Sequence, residues 1–391
     1  MKQDWKYKKM GEVCVSELGK TLNSSKDTGE LHPYLCAVNV LWDKIDLSTL
    51  KETRFEEDEL EWYSVKKGDL LVCEGGDVGR AAIWNEETVI QYQNALHRIR
   101  FNGEVIPRFC LFYLRHLKDN GTLDGRYAKG VTIKHLVKSS LLSIPIPVPP
   151  IEEQRKICSL LDKMNRVIEA KKEQLKELDN LAQAIFYDMF GDPVTNDKGW
   201  GVKKLDDVAF VKIGPFGSLL HKYDYIKGGV PLVNPIHMKD GRIYPDDSFT
   251  ISIDKKKEMS AYLLKKGDVI FARRGEIGRC AIVSEKEDGF LCGTGSLFVR
   301  FTEPISEVFV LYWAKSESFV KDLVSKAKGA TMLNINCNIV GNLLLPIPPL
   351  ELQKKFSEKV EAIEQQKELI NQSIKDVQTL FDAKMDYYFG D

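Results

Sequence analysis

The side chains best suited to chemistry in this sequence are polar and cationic groups at turns, and the chemistry they suit is recognition rather than bond-making. Arg273 and Arg274 fall at a glycine-containing turn, where a guanidinium can take a guanine edge or a phosphate in a bidentate grip. Gln91, Gln93 and Asn94 carry amides of the kind that pair with adenine edges, and His221 with Lys222 offers a further cationic pair. Lys129, Thr132 and Lys134 surround Gly130, as Lys328, Thr331 and Asn334 surround Gly329, and such small polar and cationic groups position a duplex by its phosphates. The plainer reading stands beside each: solvated charge for the arginines, and a helix cap for the threonines.

A catalytic centre has no candidate. The six histidines form no H-x-E or H-E-x-x-H arrangement, and Glu56, Glu57 and Asp58 lie in an acidic run that reads as a solvated face. Gly75-Gly76-Asp77-Val78-Gly79-Arg80 is not a Walker A loop, so its glycines are expected to serve a structural turn by adopting positive φ. Asn234-Pro235-Ile236 lacks the second proline and the aromatic of an adenine methyltransferase box, and no glycine-rich cofactor loop precedes it. Eight cysteines are scattered without a C-x-x-C pair, which predicts buried, reduced thiols and no metal. No cofactor is expected.

The elements that must hold these side chains emerge from an internal repeat. Residues 66–83 align without a gap on 265–282, nine of eighteen identical at an offset of 199. The same offset carries Lys129-Gly130 onto Lys328-Gly329, Pro149-Pro150 onto Pro348-Pro349 and Phe190-Gly191-Asp192 onto Phe389-Gly390-Asp391. Each half is therefore a globular part, 1–145 or 193–345, followed by a different kind of segment, 146–192 or 346–391. The net charge of -1 hides a division, because 193–345 has 22 Lys/Arg against 18 Asp/Glu while the later segments are acidic. Asp69–Val72 and Asp268–Phe271 read as strands opening a hairpin, and Pro107–Leu117 and Ser306–Lys315 have helical apolar spacing, which makes the globular class mixed α/β or α+β.

After Pro150, apolar residues recur in 4-3 alternation at Ile157, Leu161, Met164, Ile168, Leu175, Leu178, Ala182, Ile185 and Met189, interrupted by Lys171. The second copy gives Phe356, Val360, Ile363, Ile370, Ile374, Val377, Phe381 and Tyr388, interrupted by Lys367 and Lys384. These are coiled-coil seams on helices of about 38 residues, each needing a cover, and antiparallel pairing of the two copies supplies one. The expected architecture is two globular domains joined by two long antiparallel coiled-coil helices with pseudo-two-fold symmetry. The N-terminal MKQDWKYKKM is polar and no run of about 18 apolar residues occurs, so a cytoplasmic protein without membrane partners is expected.

The order of globular part, P-[IV]-P-P-[IL]-E-x-Q box and long helix, given twice, resembles the specificity subunit of type I restriction-modification systems over essentially the whole chain. The residues carrying the resemblance include Gly68-Asp69 and Gly267-Asp268, the Gly-x-x-Gly-Arg turns at 76–80 and 275–279, and Ile213-Gly214-Pro215-Phe216-Gly217-Ser218 in the second copy. The resemblance implies a non-catalytic protein whose two globular parts are target recognition domains, each reading half of a bipartite double-stranded DNA site. It implies that the helices set the half-site spacing and dock two methyltransferase subunits, which use S-adenosylmethionine, and it leaves room for an ATP-dependent translocase-nuclease subunit. Docking is expected at the helix starts: Pro150, Glu152, Gln154, Ile157 and Leu161, with Pro349, Glu351, Gln353, Phe356 and Val360. The rival readings are a self-contained methyltransferase or nuclease, which lacks its boxes, and a coiled-coil adaptor with no DNA role.

Overall fold

In a computed structural model, residues 5–23, 25, 27–130, 134–216, 219–327 and 334–390 are described. By packing, the chain divides into unit 1, residues 1–172 with 372–391, and unit 2, residues 173–371. Both long helices are shared between the units: α2, Ile151–Phe190, and α4, Leu350–Phe389, with α1, Pro107–Asp119, and α3, Glu307–Lys315, as the main helices of the globular parts.

The same two sheets are built in each unit. In unit 1, Cys14–Leu18, Leu96–Phe101, Leu70–Cys73 and Ala81–Ile83 form an antiparallel sheet, and Lys51–Phe55, Glu30–Leu35, Ile90–Tyr92 and Ser64–Val65 a mixed one. Unit 2 repeats this with Ala209–Ile213, Ser296–Phe301, Val269–Ala272 and Cys280–Ile282, and with Tyr225–Ile226, Thr250–Ile251, Val230–Val233 and Leu291–Cys292. The predicted hairpins are present, Leu70–Cys73 with Ala81–Ile83 and Val269–Ala272 with Cys280–Ile282. Gly76 and Gly79 turn the first at φ 73° and 81°, Gly275 and Gly278 the second at 74° and 97°, a region costly for any residue with a Cβ.

The duplicated Lys-Lys-Gly-Asp motif explains itself once folded. Asp69 accepts the Lys66 amide at 2.8 Å and holds Arg100 through both oxygens at 2.7 and 2.8 Å; Asp268 accepts from Lys265 and grips Arg300 identically at 2.8 and 2.7 Å. Bidentate charge-assisted bonds of this kind tie the turn to the neighbouring strand.

Where each helix starts, a buried glutamine joins it to the globular part. Gln154 Oε1 accepts the Ile106 amide at 2.9 Å while its Nε2 donates to the Glu104 and Pro149 carbonyls at 2.7 and 2.9 Å. In unit 2, Gln353 accepts the Ser306 amide at 2.9 Å and donates to Pro348 at 2.8 Å. The N-cap residues of α1 and α3, Ile106 and Ser306, thereby find acceptors for amides that no helix satisfies internally.

Within unit 1 the start of α2 (Ile157, Cys158, Leu161) shares a core with the end of α4 (Phe381, Met385, Phe389); within unit 2 the end of α2 (Ala182, Phe186, Phe190) meets the start of α4 (Phe356, Val360, Ile363). The segments therefore pair antiparallel in each unit, as the seams required. At the helix ends the expected seam is corrected by one position: Phe186 and Phe190 are buried where Ile185 and Met189 are only half-buried, and Met385 and Phe389 take the place assigned to Tyr388. A 3.6-residue turn drifts against a 3.5-residue repeat, and the ends face α1 and α3 as well as the other long helix. Phe389 lies 5.2 Å from Phe109, and Phe190 lies 4.8 Å from Phe309, both edge-to-face. Lys367 is a register mark rather than a free cation. Its Nζ is 2.7 Å from both Asp179 and Glu364, and although burial opposes its charge these carboxylates raise its pKa.

Replacing Gln353 by alanine strips the Ser306 amide and the Pro348 carbonyl of their partner. The expected loss is about 1–3 kcal/mol of local stability. Faster amide hydrogen exchange at Ser306, with unit 1 unaltered, is the result to look for.

Candidate nucleic-acid interface

The loops between strands gather at one end of each unit, and backbone hydrogen bonds tie them together. In unit 2 the Arg273 amide donates to Gly295 at 3.0 Å and its carbonyl accepts from Ile335 at 3.0 Å; Arg274 bridges Asn334. At the same place in unit 1 the Glu74 amide donates to Ala95 at 2.9 Å, its carbonyl accepts from Leu136 at 2.7 Å, and Gly75 bridges His135. The turn and the loop leading toward the helix thus meet in both copies. Gly19 and Gly214 allow another close approach, for a Cβ there would stand 2.3 Å from the Tyr92 carbonyl oxygen or 1.9 Å from that of Gly293. Leu18-Gly19 therefore does correspond to Ile213-Gly214, although the residues after them differ.

The predicted residues divide by exposure. Arg274 is exposed, but Arg273 is 4% exposed: its Nε donates to Asn334 Oδ1 at 3.2 Å, its guanidinium lies 6.0 Å from the Phe216 ring, and its Nη1 has no partner among the described residues. Burial, with Arg274 beside it, lowers the Arg273 pKa. Arg273 thus braces Asn334 and Phe216 rather than standing at the tip as expected. Phe216 itself is exposed and belongs to the cluster.

Gln91 must also be withdrawn from the surface set. It is buried in the strand Ile90–Tyr92, and its amide donates to the Leu60 carbonyl at 3.2 Å, an intrastrand position whose side chain points inward. Gln93 is half-buried, and Asn94, next to it, donates from Nδ2 to Thr21 Oγ1 at 3.2 Å. Lys129 is exposed and exchanges two 2.8 Å backbone bonds with His135, and Lys134 is exposed with its Nζ on the Asp124 carbonyl at 2.9 Å. His221 and Lys222 are exposed at a separate 3-10 turn, where His221 stacks on Tyr223 at 5.0 Å. Thr132, Lys328 and Thr331 lie outside the described residues.

At the helix starts the docking set is corrected. Gln154 and Gln353 are buried in the intramolecular joints described above, and Ile157, Leu161, Phe356 and Val360 are consumed by the cores of their own units, which leaves Pro150, Glu152, Pro349 and Glu351 exposed.

Sequence reasoning missed the arginine that ends each Gly-x-x-Gly-Arg turn as a brace, and what it braces. Arg80 donates to the Ala37 carbonyl at 2.6 Å and Arg279 to the Pro235 carbonyl at 3.0 Å, which presents Val38 and Ile236 as exposed aliphatic tips in both copies. The only signal for them was their shared place in the repeat. The cysteines are unpaired and buried, apart from half-buried Cys337, and burial pushes the Cys14 and Cys73 thiols up to about 11. Among the described residues no group of three or more His, Cys, Asp or Glu side chains could hold a metal, and no helix is long and apolar enough to cross a membrane.

His97 makes unit 1's loop end sensitive to pH. Its ring nitrogen Nε2 stands 2.6 Å from the Leu136 carbonyl, its Nδ1 has no partner among the described residues, and burial pushes its pKa below 6.5. The unfolded chain therefore takes up a proton that the folded one resists, so stability is complete above about pH 6.5 and falls as pH drops through that value, by at most about 1.4 kcal/mol per pH unit. Amide exchange at Leu136 measured from pH 7.5 to 5 should show this slope, and His97→Gln, which keeps a donor without titrating, should flatten it.

Residues 2–180 and 197–379 each match the family described as type I restriction modification DNA specificity domain. The MjaVIII specificity subunit of Methanocaldococcus jannaschii is 23% identical over 383 residues, covering 93% of this chain and 86% of the relative. The EcoBI specificity subunit of Escherichia coli is 23% identical over 334 residues, 78% of this chain and 68% of the relative. Among solved structures, a chain from a study of type I R-M complex assembly has a TM-score of 0.64 at 19% identity, covering 98% of this chain and 97% of that one. The S subunit from M. genitalium gives 0.55 at 14% identity over 99% and 96% of the two chains, and both show the fold. Two copies of one domain family, spanning most of the sequence and coinciding with the internal repeat, make the chain a member of the type I restriction-modification DNA specificity family.

Proposed function

We propose that the chain is the non-catalytic DNA-reading subunit of a cytoplasmic type I restriction-modification complex, with residues 1–145 and 193–345 each reading one half of a bipartite site. Segments 146–192 and 346–391 set the spacing of the half-sites and seat two methyltransferase subunits, with room for an ATP-dependent subunit in the same assembly. The observation that carries this reading is the repeated loop end: the same braces in both units hold turns at the same places, but with different side chains at their tips. Arg273 and Arg274 stand where unit 1 has Glu74 and Gly75, and Phe216, two residues past Gly214, stands where unit 1 has Thr21, two past Gly19. Two readers on one frame with different tips is what a split, asymmetric target demands.

Arg274 is the exposed member of the arginine pair and the base or phosphate contact in this reading. Its replacement by alanine should weaken binding or relax specificity in one half-site by about 1–3 kcal/mol, leaving the other half unchanged. Methylome sequencing of cells that express the chain with its methyltransferase partner gives both answers at once.

Exchanging residues 1–145 for the corresponding part of another family member tests the division itself. One half of the methylated sequence should change while the other half and the spacing persist; a change in both halves would sink the two-reader assignment.

A further inference from the structure

A cleft of about 780 Å³ opens inside unit 2, walled by Asp240, Val308, Leu311, Tyr312, Val360 and Glu361. Unit 1 shows what fills the corresponding place. Because Gln154 takes the Ile106 amide and Gln353 the Ser306 amide, Arg108 corresponds to Val308 and Phe112 to Tyr312. The 199-residue offset of the long helices sets Asp162 against Glu361. The small hairpins, with Val40 facing Ile45 and Met238 facing Ile243, set Trp42 against Asp240 and Asp43 against Gly241.

In unit 1 these residues close on one another. Arg108 Nε donates to Asp162 at 2.8 Å, its other nitrogens reach Asp162 and Asp43, and its guanidinium lies 4.7 Å from the Phe112 ring. Although burial opposes the charge, the two carboxylates raise the Arg108 pKa, and Trp42 packs against the adjoining core. In unit 2 the cation and the aromatic turn residue are both gone, replaced by Val308 and Asp240. The helix carboxylate remains as Glu361, and neither it nor Asp240 has an ion-pair partner among the described residues. Arg242 does not answer them, since it is spent on Glu364 at 2.8 Å and Glu368 at 3.3 Å; Lys315 lies 5.6 Å from the Tyr312 ring.

We propose that this cleft seats an arginine side chain of a partner protein, doing from outside what Arg108 does from within unit 1. The guanidinium sits between Glu361 and Asp240, where a planar fork meets two carboxylates, and the aliphatic stem covers Val308, Leu311 and Val360. Lys286 and Lys315 also line the cleft, so the selection of a cation rests on Glu361 and Asp240 standing without ion-pair partners where unit 1 holds Arg108, and the apolar walls favour one with a long stem. The inference rests on the reading of the chain as a scaffold for partner subunits, and adds that the scaffold offers this seat in unit 2 and closes it in unit 1.

The test uses the full chain and three probes, acetyl-Gly-Arg-Gly amide and its lysine and citrulline counterparts, titrated by saturation-transfer NMR. The arginine peptide should bind, with the uncharged citrulline peptide weaker by about tenfold, which is about 1.4 kcal/mol. Val308→Arg, which rebuilds the internal plug, should abolish binding, and Glu361→Gln, on the exposed face of α4, should weaken it about tenfold while leaving the thermal melt unchanged. If Val308→Arg fails to fold, the exposed Glu361→Gln decides alone. Equal binding of the arginine and citrulline peptides, an arginine affinity indifferent to Glu361→Gln, or no binding of any probe overturns the proposal. Methylome sequencing of Glu361→Gln with its methyltransferase separates this from the DNA-reading assignment, because unchanged half-sites leave that assignment standing whatever the peptides do.

Discussion

Everything in this fold depends on how a long amphipathic helix is fastened to a globular part, and the fastening is a single buried carboxamide used twice. Gln154 and Gln353 each have one oxygen and one nitrogen to place, and each spends them on backbone groups of two different segments. A carboxamide so committed fixes both the direction in which the helix leaves and the register of α1 or α3 beside it. In that register Phe389 meets Phe109 and Phe190 meets Phe309 at the helix ends. Prolines at 149 and 348 contribute carbonyl oxygens to the joint.

On this frame, residues divide into those that hold shape and those that differ between copies. The Asp69–Arg100 and Asp268–Arg300 pairs recur with nearly the same distances, and the positive-φ glycines and the Arg80 and Arg279 braces recur at the same places. What differs lies at the tips and in the hairpin beside the long helix. Asp69 and Asp268 are buried, and leaving either without its arginine is costly, which accounts for the recurrence of these two pairs while exposed tips diverge.

Much of this was legible in the sequence, for identifiable reasons. The duplication exposed the two units, because nine identities in eighteen residues include those that hold the turn: Gly76, Gly79, Asp69 and Arg80. The hairpins and long helices were legible from periodicity. The seam ends were not, since a strict heptad reading picks Ile185 and Met189 while the helix, turning every 3.6 residues, presents Phe186 and Phe190. Side-chain burial of polar groups was equally opaque. Gln91, Arg273, Gln154 and Gln353 look like surface residues by type, and only the carbonyls and amides converging on them reveal otherwise. The unit 2 cleft was invisible because it arises from Arg108 becoming Val308 and Trp42 becoming Asp240, in stretches too divergent to align by eye.

The sharing of both long helices has a consequence for synthesis on the ribosome. Phe109, Ile157 and Leu161 are made early, but Phe381, Met385 and Phe389, which complete the same core, follow roughly two hundred residues later. At translation speeds of about 5–20 residues per second that interval is roughly 10 to 45 s. For that time the first half of the nascent chain presents an uncovered apolar stripe, while unit 2, whose helix segments end at residue 371, closes sooner. The part of the protein made first is thus the last to be finished, and its survival in the meantime falls to chaperones or to whatever temporary cover the growing chain can find.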